Sequence, residues 1–191
     1  MSRLVMWNVV TLDGFFDGAT KWDLHWHDSA WCDELERFSV EQLRGADRLL
    51  FGRVTYEGMA AYWPTAEGEG EVTTLMNAIP KVVFSHTLQH PEWANTTVTD
   101  RDAAETVAGL KLDGAGSTLV FGSGQLSEAL TRAGLFDEYR LVLAPVVLGK
   151  GRALFDRGLD EFGLKLVEAR PLSSGAVILR YQPSSVLKAG A

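Results

Sequence analysis

Thr118–Phe155 reads TLVFGSGQLSEALTRAGLFDEYRLVLAPVVLGKGRALF. A short apolar strand, Thr118–Phe121, runs straight into Gly122-Ser123-Gly124. A helix, Gln125–Ala133, opens directly behind it, with Leu126, Ala129, Leu130 and Ala133 at helical spacing. A long apolar strand follows over Tyr139–Val147, and its Pro145 marks a bulge or an edge. Strand, glycine turn, helix and strand form the repeating unit of an α/β sheet. A helix start also presents free backbone N–H groups, and glycines let a ligand come close, so this turn suits a phosphate. The run points to a nucleotide cofactor, with a purely structural turn as the competing reading.

The rest of the chain extends the same alternation. Arg3–Thr11, Arg48–Gly52, Lys81–Ser85 and Thr96–Thr99 read as strands. A helix carrying Leu35, Phe38 and Leu43 is expected behind a cap at Asp28 or Ser29. Shorter helices are expected over Thr55–Ala61 and Arg101–Leu110, and Pro64–Gly70 reads as a loop. Leu164–Ala169 and Ala176–Tyr181 flank Ser173-Ser174-Gly175, a hairpin signal. The expected fold is one α/β domain over residues 1–183, with a mostly parallel sheet, an antiparallel C-terminal hairpin and a flexible tail over 184–191.

Composition narrows the function classes. The net charge of -7 argues against nucleic acid, which rewards a basic face. Cys32 is the single cysteine, so an internal disulfide is impossible and a cysteine-rich zinc site is not expected. The start MSRLVMWNVVTLDG is too polar for a signal peptide, and no apolar run approaches ~18 residues, so the expectation is a cytoplasmic protein without a membrane partner.

Four segments, in order, carry a family resemblance: the first strand with its Leu12-Asp13-Gly14 turn, Phe51-Gly52-Arg53-x-Thr55-Tyr56-Glu57, Pro80-Lys81-Val82-Val83-Phe84-Ser85, and the Gly122 run. The chain resembles the dihydrofolate reductase superfamily. Ala133-Gly134-Leu135-Phe136-Asp137-Glu138 and Pro145-x-x-Leu148-Gly149-x-Gly151 point to the reductase domain of the riboflavin-biosynthesis deaminase-reductase and its stand-alone relatives. The resemblance implies a dihydrofolate reductase-like domain with helices on both faces of its sheet. It implies an NADPH-dependent reductase that passes a hydride to a flat heterocycle, either 5-amino-6-(5-phosphoribosylamino)uracil or a pterin or folate. It also implies a homodimer. With a single cysteine, the chain has no room for the family's zinc-dependent deaminase domain.

The resemblance assigns roles by position. Asn8 and Val9 border the nicotinamide. Gly52, Arg53 and Thr55 hold phosphate, for which a planar cation and a hydroxyl suit the chemistry. Ser85 and His86 meet the adenosine 2′-phosphate that separates NADP from NAD. Phe121, Gly122, Ser123, Gly124, Gln125 and Leu126 wrap the pyrophosphate or its ribose. The third glycine of a Rossmann fingerprint is absent, because Ser127 stands in its place. Asp13 reads as a turn-stabilising residue.

Reduction of a C=N bond also needs a proton. Asp28, Asp33 and Glu34 are candidates by position, and Asp33 is the assigned acid, against a plain ion pair with Arg37 one turn on. Trp22, Trp26 and Trp31 can stack on a flat ring or pack as core; Trp26 and Glu57 are assigned to the substrate. His25-x-His27 lacks a third ligand of clear spacing, so no metal is expected. Lys150 and Arg152 would serve a ribose phosphate or stand as surface charges. The alternative to an enzyme is a non-catalytic NADP-binding or regulatory protein that keeps the fold.

Overall fold

A computed structural model describes residues 1–155 and 158–184. Ten strands form: β1 (Arg3–Thr11), β2 (Phe15–Asp17), β3 (Ala46–Gly52), β4 (Lys81–Phe84), β5 (Thr96–Thr99), β6 (Ser117–Phe121), β7 (Glu138–Ala144), β8 (Arg152–Ala153), β9 (Gly163–Pro171) and β10 (Val177–Ser184). Eight of them make one sheet in the order β5-β4-β3-β6-β1-β7-β10-β9, and β2 pairs with β8 as a separate ribbon. From β5 to β7 every pairing is parallel, while β10 runs antiparallel to both β7 and β9.

The helices are α1 (Asp33–Arg44), α2 (Arg53–Tyr62), α3 (Gly70–Ala78), α4 (Ala103–Leu112) and α5 (Gly124–Arg132). They cover both faces, so the central strands carry continuous apolar runs, Leu4–Trp7, Leu49–Phe51 and Leu119–Phe121, rather than alternating. Val5, Leu49, Phe51, Val83 and Leu119 point one way and pack with Leu43 of α1, Tyr56 of α2, and Val72 and Met76 of α3. Leu4, Met6, Leu50 and Val120 point the other way and meet Val107 of α4 and Leu126 and Leu130 of α5. The mostly parallel sheet, its antiparallel C-terminal strands and the two helical layers agree with the sequence-based expectation.

Several local expectations are corrected. α3 follows directly on the expected Pro64–Gly70 loop, over a stretch for which the sequence suggested no element. Gly70 and the pair Thr73-Thr74 are poor helix formers, but Val72 and Met76, one turn apart, are both buried and hold the helix to the core. Neither Asp28 nor Ser29 caps α1. Both lie in a 3-10 turn, His25–Ser29, and Cys32 is the cap residue. The first turn of α1 instead carries Asp33, Glu34 and Glu36, which favour the positive end of the helix dipole. β7 ends at Ala144, so Pro145 terminates the strand and makes no bulge within it. Ser184 still pairs with Gly163 in the β9–β10 hairpin, and residues 185–191 of the expected tail lie outside the described residues. No helix among the described residues is long and apolar enough to cross a membrane.

Candidate active site

The register of three strands places the site. Trp7 of β1 sits opposite Phe121 of β6, and Leu50 of β3 sits opposite Val120. Asn8 and Gly122, the next residues of β1 and β6, and Gly52, two residues beyond Leu50, therefore gather at one level of three adjacent strands, where β3 and β6 end. β3 leads away to β4, whereas β6 leads past β1 to β7, so the chain departs in opposite directions from this point. In open α/β sheets such a switch point is where ligands bind.

The two glycine turns are tied to each other. The Gly52 N–H donates to Ser123 Oγ at 3.0 Å, the Ser123 N–H donates to Thr55 Oγ1 at 3.0 Å, and the Gly122 N–H donates to Asn8 Oδ1 at 2.7 Å. Gly122 and Ser123 both take left-handed backbone, with φ of 51° and 55°. This suits glycine and is a strained choice for serine. The stitching turns the backbone so that α2 and α5 start side by side, and neither start has a side-chain cap. Two uncapped helix N-termini at one strand edge make a strong anion site. The N–H groups available there belong to the first turns of α2 and α5. Those of Gly52, Gly122 and Ser123, the residues singled out in the sequence, are already engaged.

Around this edge lies a cleft enclosing about 560 Å³ of space, its open mouth included. Of the sequence-assigned residues, Asn8, Val9, Thr55, Phe121 and Gly122 line it. Arg53 stands at the start of α2 with its guanidinium on Glu57 Oε1 at 2.7 Å, and Lys21 approaches the same carboxylate at 3.7 Å. Glu57 is thus the partner of two cations, and it is not among the cleft-lining residues. Ser85 Oγ accepts from the N–H groups of Thr87 and Leu88, which shapes the turn after β4 and leaves its own hydroxyl proton free to donate, while His86 is exposed. Gln125 is exposed and Leu126 is core.

Two further assignments are placed elsewhere by the structure. Trp26 is only 3% exposed, in a cluster with Val9, Leu35 and Phe38, where its indole packs as core. Asp33 is exposed on the first turn of α1 and does not line the cleft. Periodicity could not separate Trp26 from Trp22: both occur in one loop, yet it is Trp22 that lines the cleft. Trp22 takes a φ of 65° and lays its ring on α2, where a Cβ on Gly58 would come within 1.9 Å of it.

The sequence reading missed the ribbon that roofs the cleft. β2 and β8 bring Phe16, Asp17 and Arg152 over the Gly124 turn, where a Cβ on Gly124 would stand 3.1 Å from Phe16 Cζ. Asp13 anchors this roof: its carboxylate accepts from Thr11 Oγ1 at 2.6 Å and from the N–H groups of Gly149 at 2.7 Å and Leu148 at 3.1 Å. The Thr11 hydroxyl and these two N–H groups hold its pKa down to about 2, so the turn role read for Asp13 is what the geometry shows. Asp17 is only 7% exposed, with Arg152 Nη1 at 3.7 Å from Oδ2, and burial pushes its pKa up against the pull of Arg152 and of the backbone N–H groups of Gly18, Asp23 and Trp22. Burial also depresses His27, to about 4, so it is neutral at physiological pH. Four buried polar atoms of cleft residues have no protein partner: Trp7 Nε1, Asn8 Nδ2, Asp17 Oδ1 and His27 Nε2. Buried polar groups are rarely left unpaired, and such a set at a strand edge is prepared for a ligand.

Comparison with known proteins agrees with this fold. Residues 3–178 match the model of the RibD C-terminal domain. The chain is 31% identical over 183 residues to the Bacillus subtilis (strain 168) protein YyaP, covering 94% of each. Among solved structures, it is similar to a Shewanella sp. PV-4 protein named for riboflavin biosynthesis, with a TM-score of 0.78, 17% identity, and 95% and 99% of the two chains covered. It is also similar to Enterococcus faecalis dihydrofolate reductase in complex with NADP(H), with a TM-score of 0.61 and 12% identity over 95% of this chain and 96% of that one.

Proposed function

This chain belongs to the RibD C-terminal domain family, and we propose that it is an NADPH-dependent reductase that delivers a hydride to a flat nitrogen heterocycle. The observation that carries this reading is the pair of uncapped helix starts, α2 and α5, opening onto a cleft with four orphaned polar atoms. The Enterococcus faecalis neighbour, similar in fold, is named as an NADP(H) complex. Bound there, NADPH would supply the hydride.

The residues present fit such a cofactor. First-turn N–H groups of α2 and α5 would meet the diphosphate, with Arg53 close by. Asn8 Nδ2, a free donor beside Gly122, would meet a carboxamide oxygen. Ser85 and His86, after β4, would meet the phosphate that distinguishes NADPH from NADH. The rings of Trp7, Phe16 and Phe121 line the cleft and keep water from the reacting carbon. The proton for the reduced nitrogen fits Asp17 better than Asp33, because Asp17 alone of the two lines the cleft and its burial favours the protonated form.

The homodimer belongs to this reading. β9 is one of the two edges of the sheet and exposes Leu166 and Val167, a surface that a second copy would cover. The reductase reading is tested by following the loss of NADPH absorbance with pyrimidines and pterins as substrates. Turnover with a member of either class is expected. Failure of every one, in a protein that binds NADPH tightly, would favour a non-catalytic binding protein.

A further inference from the structure

β1 presents two different polar side chains to the cleft from neighbouring positions. Successive side chains of a strand point to opposite faces, so Trp7 and Asn8 look opposite ways. Asn8 shares its face with Leu4 and Met6, the α4 and α5 side, and its Oδ1 takes the Gly122 N–H at 2.7 Å. Trp7 shares its face with Val5 and Val9. It packs against the clusters that hold Leu43 of α1, Tyr56 of α2 and Trp26, with its ring centroid 5.1 Å from that of Phe121. The indole therefore has surroundings of its own, apart from the Asn8–Gly122 contact.

Trp7 lines the cleft, yet its Nε1 is buried and has no partner among the described residues. His27 Nε2 is in the same position. The two ring nitrogens are not equivalent. A neutral imidazole donates or accepts at Nε2 according to its tautomer, so it suits ligands of either polarity. An indole N–H has no lone pair and can only donate, so what Trp7 lacks is an acceptor. The lining it shares is apolar at Val9, Leu24, Val54, Met59 and Phe121, where a charged acceptor would be costly to bury. The charged lining residues, Asp17 and Arg152, belong to the β2–β8 roof. A flat, uncharged ring with a carbonyl in its plane would supply the acceptor and lie against the rings of Trp7 and Phe121.

We propose that Trp7 is a specificity-determining residue of the cleft, and that its indole N–H selects flat, uncharged ring ligands that bring a carbonyl oxygen or another in-plane acceptor to it. The inference rests on the reductase reading for the cleft's purpose, but its own test needs no turnover. A site built to meet a polar atom of its ligand discriminates steeply against an analogue that lacks it, because its own polar group is then left buried and unpaired.

The experiment titrates the full-length protein with quinazoline-2,4-dione, a flat two-ring dione, and with naphthalene, which has the same two-ring shape and no acceptor. Saturation-transfer NMR gives both affinities, in the unaltered protein and in Trp7→Phe, which keeps an aromatic ring and removes the N–H. The expected result is saturable binding of the dione, about tenfold weaker in the variant, the scale of one hydrogen bond, with naphthalene affinity unchanged. A merely structural role would weaken both ligands alike, and that result would overturn the proposal, as would an unchanged dione affinity or no dione binding at all. A second readout needs no variant: in nitrogen-15 spectra of the unaltered protein, the Trp7 indole proton should move downfield with the dione and not with naphthalene. A stationary indole resonance at saturating dione would overturn the proposal even if Trp7→Phe failed to fold. NADPH is titrated on the same samples. If NADPH fails to bind while the dione results stand, the reductase reading falls and Trp7 keeps its role; the opposite pattern removes Trp7 alone.

Discussion

The backbone N–H of Gly52, at the end of β3, donates to the hydroxyl of Ser123, 71 residues later at the end of β6. This bond and its reciprocal, Ser123 N–H to Thr55 Oγ1, lock two helix starts into one anion-facing edge. Ser123→Ala removes the acceptor and keeps a Cβ at a φ of 55°. It should cost about 1–3 kcal/mol, the scale of an unmet buried donor. The melting temperature should fall by roughly 2–4 °C per kcal/mol for a chain of this length. Thermal unfolding checks it, and an unchanged midpoint would mean that the stitch carries no weight.

Arg53 is held by Glu57 on the surface of α2, an i,i+4 pair of small intrinsic value. Arg53→Ala should therefore leave the melting temperature nearly unchanged. It should weaken NADPH binding by on the order of 1.5–3 kcal/mol if the guanidinium leaves Glu57 for a phosphate. Glu57→Gln should strengthen the same binding, because it frees the cation. Titration calorimetry separates the two effects, and equal affinities in all three proteins would remove Arg53 from the site.

Gly58 lies inside α2, where alanine would ordinarily stabilise a helix by about 1 kcal/mol. Here the added Cβ would meet the Trp22 ring at 1.9 Å, so the wall of the cleft must move. Gly58→Ala should be destabilised by roughly 1–3 kcal/mol as an overpacked site, with a changed tryptophan emission. A more stable variant with unaltered emission would show that Trp22 does not pack there.

Acid should unfold the protein in two stages. Burial lowers His27 from 6.5 to about 4, so the folded state holds this ring neutral and takes up its proton later than the unfolded chain does. The stability it contributes is present above pH 6.5 and is lost as the pH falls from there towards 4. Glu138 follows lower down. Burial alone would raise its pKa, but hydrogen bonds from Arg140 and Arg180 prevail and hold it near 2, so its share is lost between about pH 4.5 and 2. In melting curves against pH, His27→Gln should flatten the upper stage and spare the lower one. A wild-type midpoint that stays constant from pH 7 to 4 would contradict this.

The layered fold was legible because Leu4-Val5-Met6, Leu49-Leu50-Phe51 and Leu119-Val120-Phe121 are apolar on both faces, which only a covered parallel strand requires. The glycine turns were legible for the same local reason, since positive φ selects glycine at position 122. What was not legible depends on long-range pairing. Asp17 belongs to the cleft only because Phe15–Asp17 pairs with Arg152–Ala153, far along the chain, and a two- or three-residue strand leaves no periodic trace. The choice between Trp22 and Trp26 turns on a backbone angle and on the missing side chain of Gly58, neither of which a hydrophobic pattern encodes. Asp33 looked right by its position on the first helix, but its side chain faces solvent.

The central claim is that the α2 and α5 starts hold a nicotinamide dinucleotide phosphate. Its most direct test is a titration of the protein with NADPH and with NADH, following quenching of the cleft tryptophans and the nicotinamide emission together. Saturable binding with a clear preference for NADPH is the predicted result. Binding of neither, or tighter binding of NADH, would contradict the claim and leave the two turns as structural elements alone.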